Sequence, residues 1–342
     1  MKRYLLVILF VMAFKFGDVK SQPVHQHGQL RVEGANIIDQ HGQKVALKGV
    51  SLGWYNWWPQ YYNASVIEHL SRKWKISVIR AAMGVEPAGG YLEKPIKSKA
   101  LIKTVIDAAI DYGIYVIVDW HSHDIYTEQA EDFFSGIAQE YASYPNLIYE
   151  IFNEPEDRTW EEIKDFSIRV IEAIRKYDER NLIIVGTPNW SHDVDVVSKE
   201  PIEGYNNIVY SLHFYAASHN YVRYKAEYAV RMLLPMFVTE CSPSEADGDG
   251  KLDKKRFSDW LEFMERNSIS FVMWGLYDKE ESSAMLSPGA DYDGGWSWSQ
   301  LTKMGIYTRR IMRGNIVTPG TITIVCTLLI AVIAFISIWK NK

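Results

Sequence analysis

Eight short apolar runs, dense in β-branched residues, recur along the chain: "KVALKGVSL" from Lys44, "ISVIRAAM" from Ile76, "IYVIVDWH" from Ile114, "LIYEIFNE" from Leu147, "NLIIVGTPNW" from Asn181, "NIVYSLHFY" from Asn207, "MFVTE" from Met236 and "ISFVMWGLYD" from Ile269. They do not alternate polar with apolar, which is the pattern of strands covered on both faces. Segments of helical period lie between them. "SKALIKTVIDAAIDYG" stops at Gly113, and "TWEEIKDFSIRVIEAIRKYD" starts on Thr159 as N-cap with Glu162 three residues on as its box partner. Eight strands alternating with about eight helices in under 300 residues predict an α/β fold, the (β/α)8 or TIM barrel. No linker, low-complexity tract or repeat divides it, so a single domain is expected over 29–314, after a short N-terminal segment, 22–28.

The two ends of the chain read differently. Lys2 and Arg3, an apolar stretch from Tyr4 to Phe14 and the small Ser21 predict a signal peptide over 1–21, because Lys15 closes the apolar stretch too early for a membrane span. From Ile316 to Trp339 no residue is charged, which is long enough to cross a bilayer core of roughly 30 Å. A transmembrane helix is expected there, with Lys340 and Lys342 in a cytoplasmic tail and the domain exported and anchored. Lys303, Arg309, Arg310 and Arg313 then fall on the exported side, against the usual charge bias, and export by the signal peptide accounts for that.

Composition narrows the partners. Aromatic residues make up 13% of the 342, with 12 Trp and 21 Tyr, while net charge is −5 and pI about 6.0, so no basic field exists to hold a nucleic acid. Cys241 and Cys326 form no disulfide framework, and Cys241 reads as a small buried residue. Nothing in the sequence bears on oligomeric state.

In such barrels chemistry sits at the C-terminal ends of the strands. The eight runs end on Trp54, Arg80, His121, Asn153-Glu154, Trp190, His213 and Tyr215, Glu240, and Trp274. Two are carboxylates, Glu154 after the fourth run and Glu240 after the seventh. Two opposed carboxylates are what glycosidic hydrolysis needs, one acid for the leaving oxygen and one group to attack or to activate water. Arg80 is expected to lower the pKa of the nucleophile and aromatic walls to raise that of its partner. Spacing alone leaves each glutamate open as a helix cap or ion-pair partner.

The sequence resembles glycoside hydrolase family 5, and within it subfamily 2, the bacterial endo-β-1,4-glucanases. The resemblance rests on "LKGVSLGW", "WKISVIRAAM", "VIVDWHSH", "IYEIFNEP", "IIVGTPNWSHDV", "SLHFYAASH", "FVTE" and "MWGLYDKEESSAMLSPGADYDGGW", in the family's order and spacing across nearly the whole domain. It implies Glu154 as general acid/base and Glu240 as nucleophile, with Arg80 and Tyr215 orienting and ionising Glu240. It implies His121, Asn153 and His213 in the cleavage subsite, Asn153 on the sugar 2-hydroxyl. Trp274 is implied as the platform under the scissile sugar, Trp190 on the leaving side and Trp54 further along the other, with His219, Lys279 and Glu281 also on substrate. The implied substrate is a β-1,4-glucan or cello-oligosaccharide, cut with retention by carboxyl groups roughly 5 to 5.5 Å apart, with no cofactor and no metal. Mannan, lichenan, xyloglucan or xylan, or a silent glycan-binding role, are the rivals.

Departures and rejected motifs complete the reading. "TECSPSEADGDG" stands where many relatives have Trp after the nucleophile, and "SLGWYNWWPQYYN" where many have His-Gly-Leu. Trp57, Trp58, Tyr61 and Tyr62 stay open between packing and binding. His121 and His123 of "HSHD" lack the matching Lys and Asp of a zinc site, and Arg256 stands where a calcium loop at Glu245 needs its bidentate Glu. "DYDGGW" at Asp291 reads as a turn.

Overall fold

A computed structural model describes residues 22–315. The expected signal peptide, the transmembrane helix over 316–339 and its tail, with Cys326, lie outside the described residues. Among the described residues no helix is long and apolar enough to cross a membrane.

A small hairpin, β1 (Arg31–Glu33) and β2 (Asn36–Ile38), precedes the barrel strands β3 (Lys48–Leu52), β4 (Val78–Gly84), β5 (Tyr115–His121), β6 (Leu147–Glu150), β7 (Leu182–Val185), β8 (Ile208–Tyr215), β9 (Met236–Ser242) and β10 (Ser270–Leu276). All eight pair in parallel with their sequence neighbours, and β10 pairs β3 to close the barrel. Most strand positions are apolar because both faces of the barrel wall are covered. Period two turns Ile79, Ala81 and Met83 outward into one cluster with the helices, and turns Val78, Tyr115, Ile117, Ile148, Ile184, Val209, Phe237 and Val272 into a second cluster within.

That inner cluster is completed from a place the sequence reading left blank. The helix Pro23–His27 and the β1–β2 hairpin bring Val24, Leu30, Ile37, Val45 and Leu47 against it, and the Tyr115 hydroxyl donates to the Gly28 carbonyl at 2.7 Å. The N-terminal segment is therefore a plug reaching from Pro23 to Leu47 rather than a short leader to the domain.

The helix Pro95–Asp111 ends before Gly113, whose φ of 63° supplies the left-handed residue the chain needs to turn. Trp160–Arg175 carries the full capping box of Thr159 and Glu162. After β7 the connection back to β8 holds no long helix. Two single turns, Pro188–Ser191 and Val194–Val197, lie there instead, and Asn189, Trp190 and Ser191 all sit at φ 57°. Three consecutive non-glycine residues in the left-handed region are strained, and the surroundings hold them: the Trp190 amide donates to Pro155 O at 2.9 Å and the Ser191 hydroxyl to Asn153 O at 2.8 Å.

The remaining motifs resolve simply. Cys241 is buried, its thiol directed at Val272 O (3.3 Å) and its pKa raised by burial. Around Asp291, Gly294 and Gly295 adopt positive φ and the Trp296 ring donates to Asp291 O, as a turn requires. The loop from Glu245 is tied rather than free: Asp249 accepts from the Ser282 amide and hydroxyl at 3.1 and 3.0 Å.

Candidate active site

Arg80 is fully buried, and the structure corrects its expected place at a strand end: it stands third of seven residues in β4, facing into the barrel. Its guanidinium donates through Nε to Glu150 (2.7 Å), through Nη2 to Asn153 Oδ1 (2.7 Å) and Glu150 (3.3 Å), and through Nη1 to Glu240 (3.0 Å), with Asp119 3.0 Å from Nη2. Asp119 and Glu150 were missed by the sequence reading. Their signal was present, since each is the single charged residue at an inward position of an otherwise apolar strand, and a buried charge there needs a partner. Asp119 in turn holds His121 Nδ1 at 2.6 Å.

The two expected carboxylates meet above this layer. Glu240, in β9, accepts from the Tyr215 hydroxyl at 2.7 Å and from Arg80. Glu154 follows β6 in an extended stretch whose amides, from Asn153 and Glu154, donate to Trp120 O and Ser122 O. His213 Nδ1 lies 2.8 Å from Glu154, while its Nε2 meets Thr239 at 2.9 Å. Oxygens of Glu154 and Glu240 and a ring nitrogen of His213 all lie within 4.8 Å of one another. Asn153 adds a feature of its own: its Oδ1 is taken by Arg80, but its buried Nδ2 has no hydrogen-bond partner among the described residues. A donor left unpaired at such a cost is a donor kept for something else.

The protonation order in the unliganded cleft reverses the expected one. Burial and the facing Glu154 charge raise Glu240, against the pull of His213, Arg80 and Tyr215. Burial raises Glu154 too, but the hydrogen bond and charge of His213 outweigh it and leave the carboxyl lowered. The reason is that Arg80 is divided among Asp119, Glu150 and Glu240, so no single carboxylate has the whole of its charge. The two glutamates therefore titrate as one interacting pair.

The histidines make stability depend on pH with a definite sign. His213 is raised to about 9: burial opposes its charge, but hydrogen bonds to Glu150 and Glu154 prevail. His192 is lowered to about 2 by burial, with the His219 and His213 charges adding to it. A raised group stabilises fully below its unfolded pKa and loses that as pH climbs through its folded value; a depressed histidine stabilises above its unfolded pKa and loses that as pH falls. Urea midpoints measured from about pH 5 to about pH 10 are therefore expected to peak between and fall on both sides. In His213→Gln the fall approaching about 9 should vanish; an unchanged alkaline slope would refute the assignment.

Aromatic side chains wall the cleft, whose volume is about 200 Å³. Trp274 lies parallel to the His121 ring at 5.5 Å, and Trp54 stands edge-on to His121 at 4.1 Å. Trp57 and Trp58 line the cleft, whereas Tyr61 and Tyr62 are buried and Tyr62 donates to Gly53 O and Ala82 O, so the undecided aromatics divide between wall and packing. Lys279 is ion-paired with Glu281, which also accepts from Tyr277 at 2.5 Å. His123, set aside as a zinc ligand, is a wall residue stacked on Trp54. Ala246, Asp247 and Gly248 occupy the wall beside Glu240. Trp190 and His219 do not line this space: Trp190 stands 40% exposed beyond it, and His219 accepts from the Tyr215 amide and packs on His192.

Comparisons with known proteins agree with this geometry. The family model described as cellulase (glycosyl hydrolase family 5) matches residues 38–280. An endoglucanase of Clostridium saccharobutylicum is 40% identical over 302 residues, covering 86% of this chain and 67% of that protein. A solved structure from Cytophaga hutchinsonii is 40% identical with a TM-score of 0.84, covering 86% of this chain and 97% of the other. The catalytic domain of a Thermobifida fusca endoglucanase, in complex with cellotetraose, is 33% identical with a TM-score of 0.82, covering 86% of this chain and all of that one (100%).

Proposed function

The chain belongs to the cellulase family, glycosyl hydrolase family 5, and from that premise we propose that it cuts internal β-1,4-glucosidic bonds of cellulose and related β-glucans with retention of configuration. One observation carries the mechanism: oxygens of Glu154 and Glu240 lie within 4.8 Å of each other. A retaining pair stands roughly 5 to 5.5 Å apart, whereas an inverting pair needs about 6.5 to 9.5 Å to admit a water between them.

In the proposed reaction a sugar stacks on Trp274 and its anomeric carbon meets Glu240. The glycosidic oxygen lies against Glu154. The step runs from the form of the pair in which Glu240 is ionised and Glu154 holds the proton: Glu240 attacks, the bond to the leaving oxygen breaks, and Glu154 gives that oxygen its proton. The covalent sugar ester leaves Glu240 neutral, which removes the negative charge facing Glu154 and lets His213 hold it as a base. Water then gives Glu154 its proton and attacks the anomeric carbon, freeing Glu240. Arg80 and Tyr215 position Glu240, and the unpaired Asn153 Nδ2 is the donor for the 2-hydroxyl. Trp54, Lys279 and Glu281 extend the sugar path on one side and Trp190 on the other, with His219 supporting Tyr215 from behind.

Residues 1–21 and 316–339 complete the proposal as signal peptide and membrane anchor around one catalytic domain, on the strength of their charge patterns alone. Reducing-end release from carboxymethylcellulose, glucomannan, mannan and xylan tests the substrate. Release greatest on carboxymethylcellulose is expected; release confined to mannan or xylan moves the assignment to that glycan. Proton NMR of the first product tests the stereochemistry, with the β anomer expected first and an α anomer overturning retention.

A further inference from the structure

A basic face without carboxylates lies along the side of the barrel. A groove of about 530 Å³ runs along the outer side of the helix Lys303–Met312, lined by Lys254, Trp298, Tyr307, Arg309, Arg310 and Arg313 and ending at Asn315. It holds four cations and no carboxylate, and none of the four is ion-paired among the described residues. The aromatics are engaged by the cations: Lys254 lies 4.9 Å over Tyr307 and Arg309 lies 4.8 Å over Trp298, which is nevertheless 59% exposed. Exposed tryptophan beside unpaired arginine is the composition of a surface that meets headgroups, with an apolar ring for the interface and cations for its charge.

Its position strengthens the reading. The helix Lys303–Met312 follows β10 and runs back along the barrel, and Arg313 donates to Lys73 O just ahead of β4. The groove therefore runs along the flank of the barrel, from Lys254 and Trp298 at the end that carries the cleft to Arg313 at the opposite end. The uncharged residues 316–339 begin one residue after Asn315, so no spacer separates this groove from the segment read as an anchor.

We infer that this face is a docking surface for anionic lipid headgroups, holding the barrel with its flank against the bilayer. The inference rests on the anchor reading and adds a preferred orientation to it. It also gives a use to Arg309, Arg310 and Arg313, which precede the span on the exported side.

The full chain, reconstituted in vesicles of phosphatidylcholine alone or mixed with phosphatidylglycerol, supplies the test. Mass-spectrometric footprinting of Lys254 acetylation and Trp298 oxidation is the readout. Both modifications are expected to fall several-fold in the mixed vesicles alone, and to recover at high salt. Arg310→Gln with Arg313→Gln should restore Trp298 oxidation in the mixed vesicles while leaving release from carboxymethylcellulose unchanged, since neither residue is near the cleft. Arg310→Gln alone, at an exposed side chain, gives the same direction should the pair fold poorly. Equal modification in both vesicle types, by chains that float with them, overturns the docking surface and spares the anchor. Chains that fail to float overturn both. Protection by a soluble acidic polysaccharide but not by mixed vesicles overturns the lipid and assigns the groove to acidic glycan.

Discussion

Glu240→Gln is expected to lower kcat on carboxymethylcellulose by on the order of 10⁵-fold, the scale seen when a covalent nucleophile is removed from an enzyme that otherwise keeps its binding site. Its effect on folding should have the opposite sign. Burial and Glu154 raise the Glu240 pKa, so the ionised carboxylate is disfavoured in the folded protein even with Arg80 and Tyr215 beside it. A neutral amide of the same shape removes that penalty and keeps an oxygen for the Tyr215 hydroxyl. The melting temperature should hold or rise, as is common where a functional charge is kept at the expense of stability. A variant that loses activity together with many degrees of melting temperature would reduce Glu240 to a structural residue. Glu154→Gln separates the two carboxyls further: on an aryl cellobioside, whose leaving group needs no acid, the acidic limb of the rate profile should move to lower pH, because the charge that raised Glu240 is gone.

Arg80→Met should be the most damaging substitution for the fold. It leaves Asp119, Glu150 and Glu240 facing one another in a buried layer without their shared cation. Removing one side of a buried ion pair costs about 3 to 5 kcal/mol, which in a domain of this size lowers the melting temperature by roughly 10 °C. Adding Glu150→Gln should recover part of that loss by removing one of the stranded charges. Arg80→Lys keeps the charge but not the fork that reaches Glu150, Asn153 and Glu240 together, so it should keep more stability than activity. A melting temperature unchanged in Arg80→Met would show that the layer does not depend on its arginine.

The parts of this arrangement legible in the sequence are those that chain position alone determines. Glu154 and Glu240 end apolar runs, and in a parallel barrel run ends converge. Arg80 was visible as a residue but not as a hub, because its reach to Glu150 and Glu240 crosses the barrel interior between strands that are not neighbours. Asp119 and Glu150 were hidden by the same fact: an inward charge reads as an interruption until its partner is known. The protonation order was misjudged because it follows from how one guanidinium is shared, which is a matter of distances. The tight connection after β7 had no signal, since left-handed φ at Asn189, Trp190 and Ser191 is held by Pro155 and Asn153 from another loop. The plug was overlooked because β1 and β2 are three residues each, too short for periodicity to show.

The seam of the barrel has a consequence in time. β3 ends at Leu52 and pairs with β10, which begins at Ser270, and the Leu47 amide above the plug donates to the Ser270 hydroxyl. A ribosome adding roughly 5 to 20 residues per second takes tens of seconds to travel between those strands. Throughout that interval one edge of β3 has no partner and the plug is covered only in part, and an open edge is where neighbouring nascent chains join. Synthesis of this protein therefore passes through a long window of vulnerability that closes only when nearly the whole barrel has emerged.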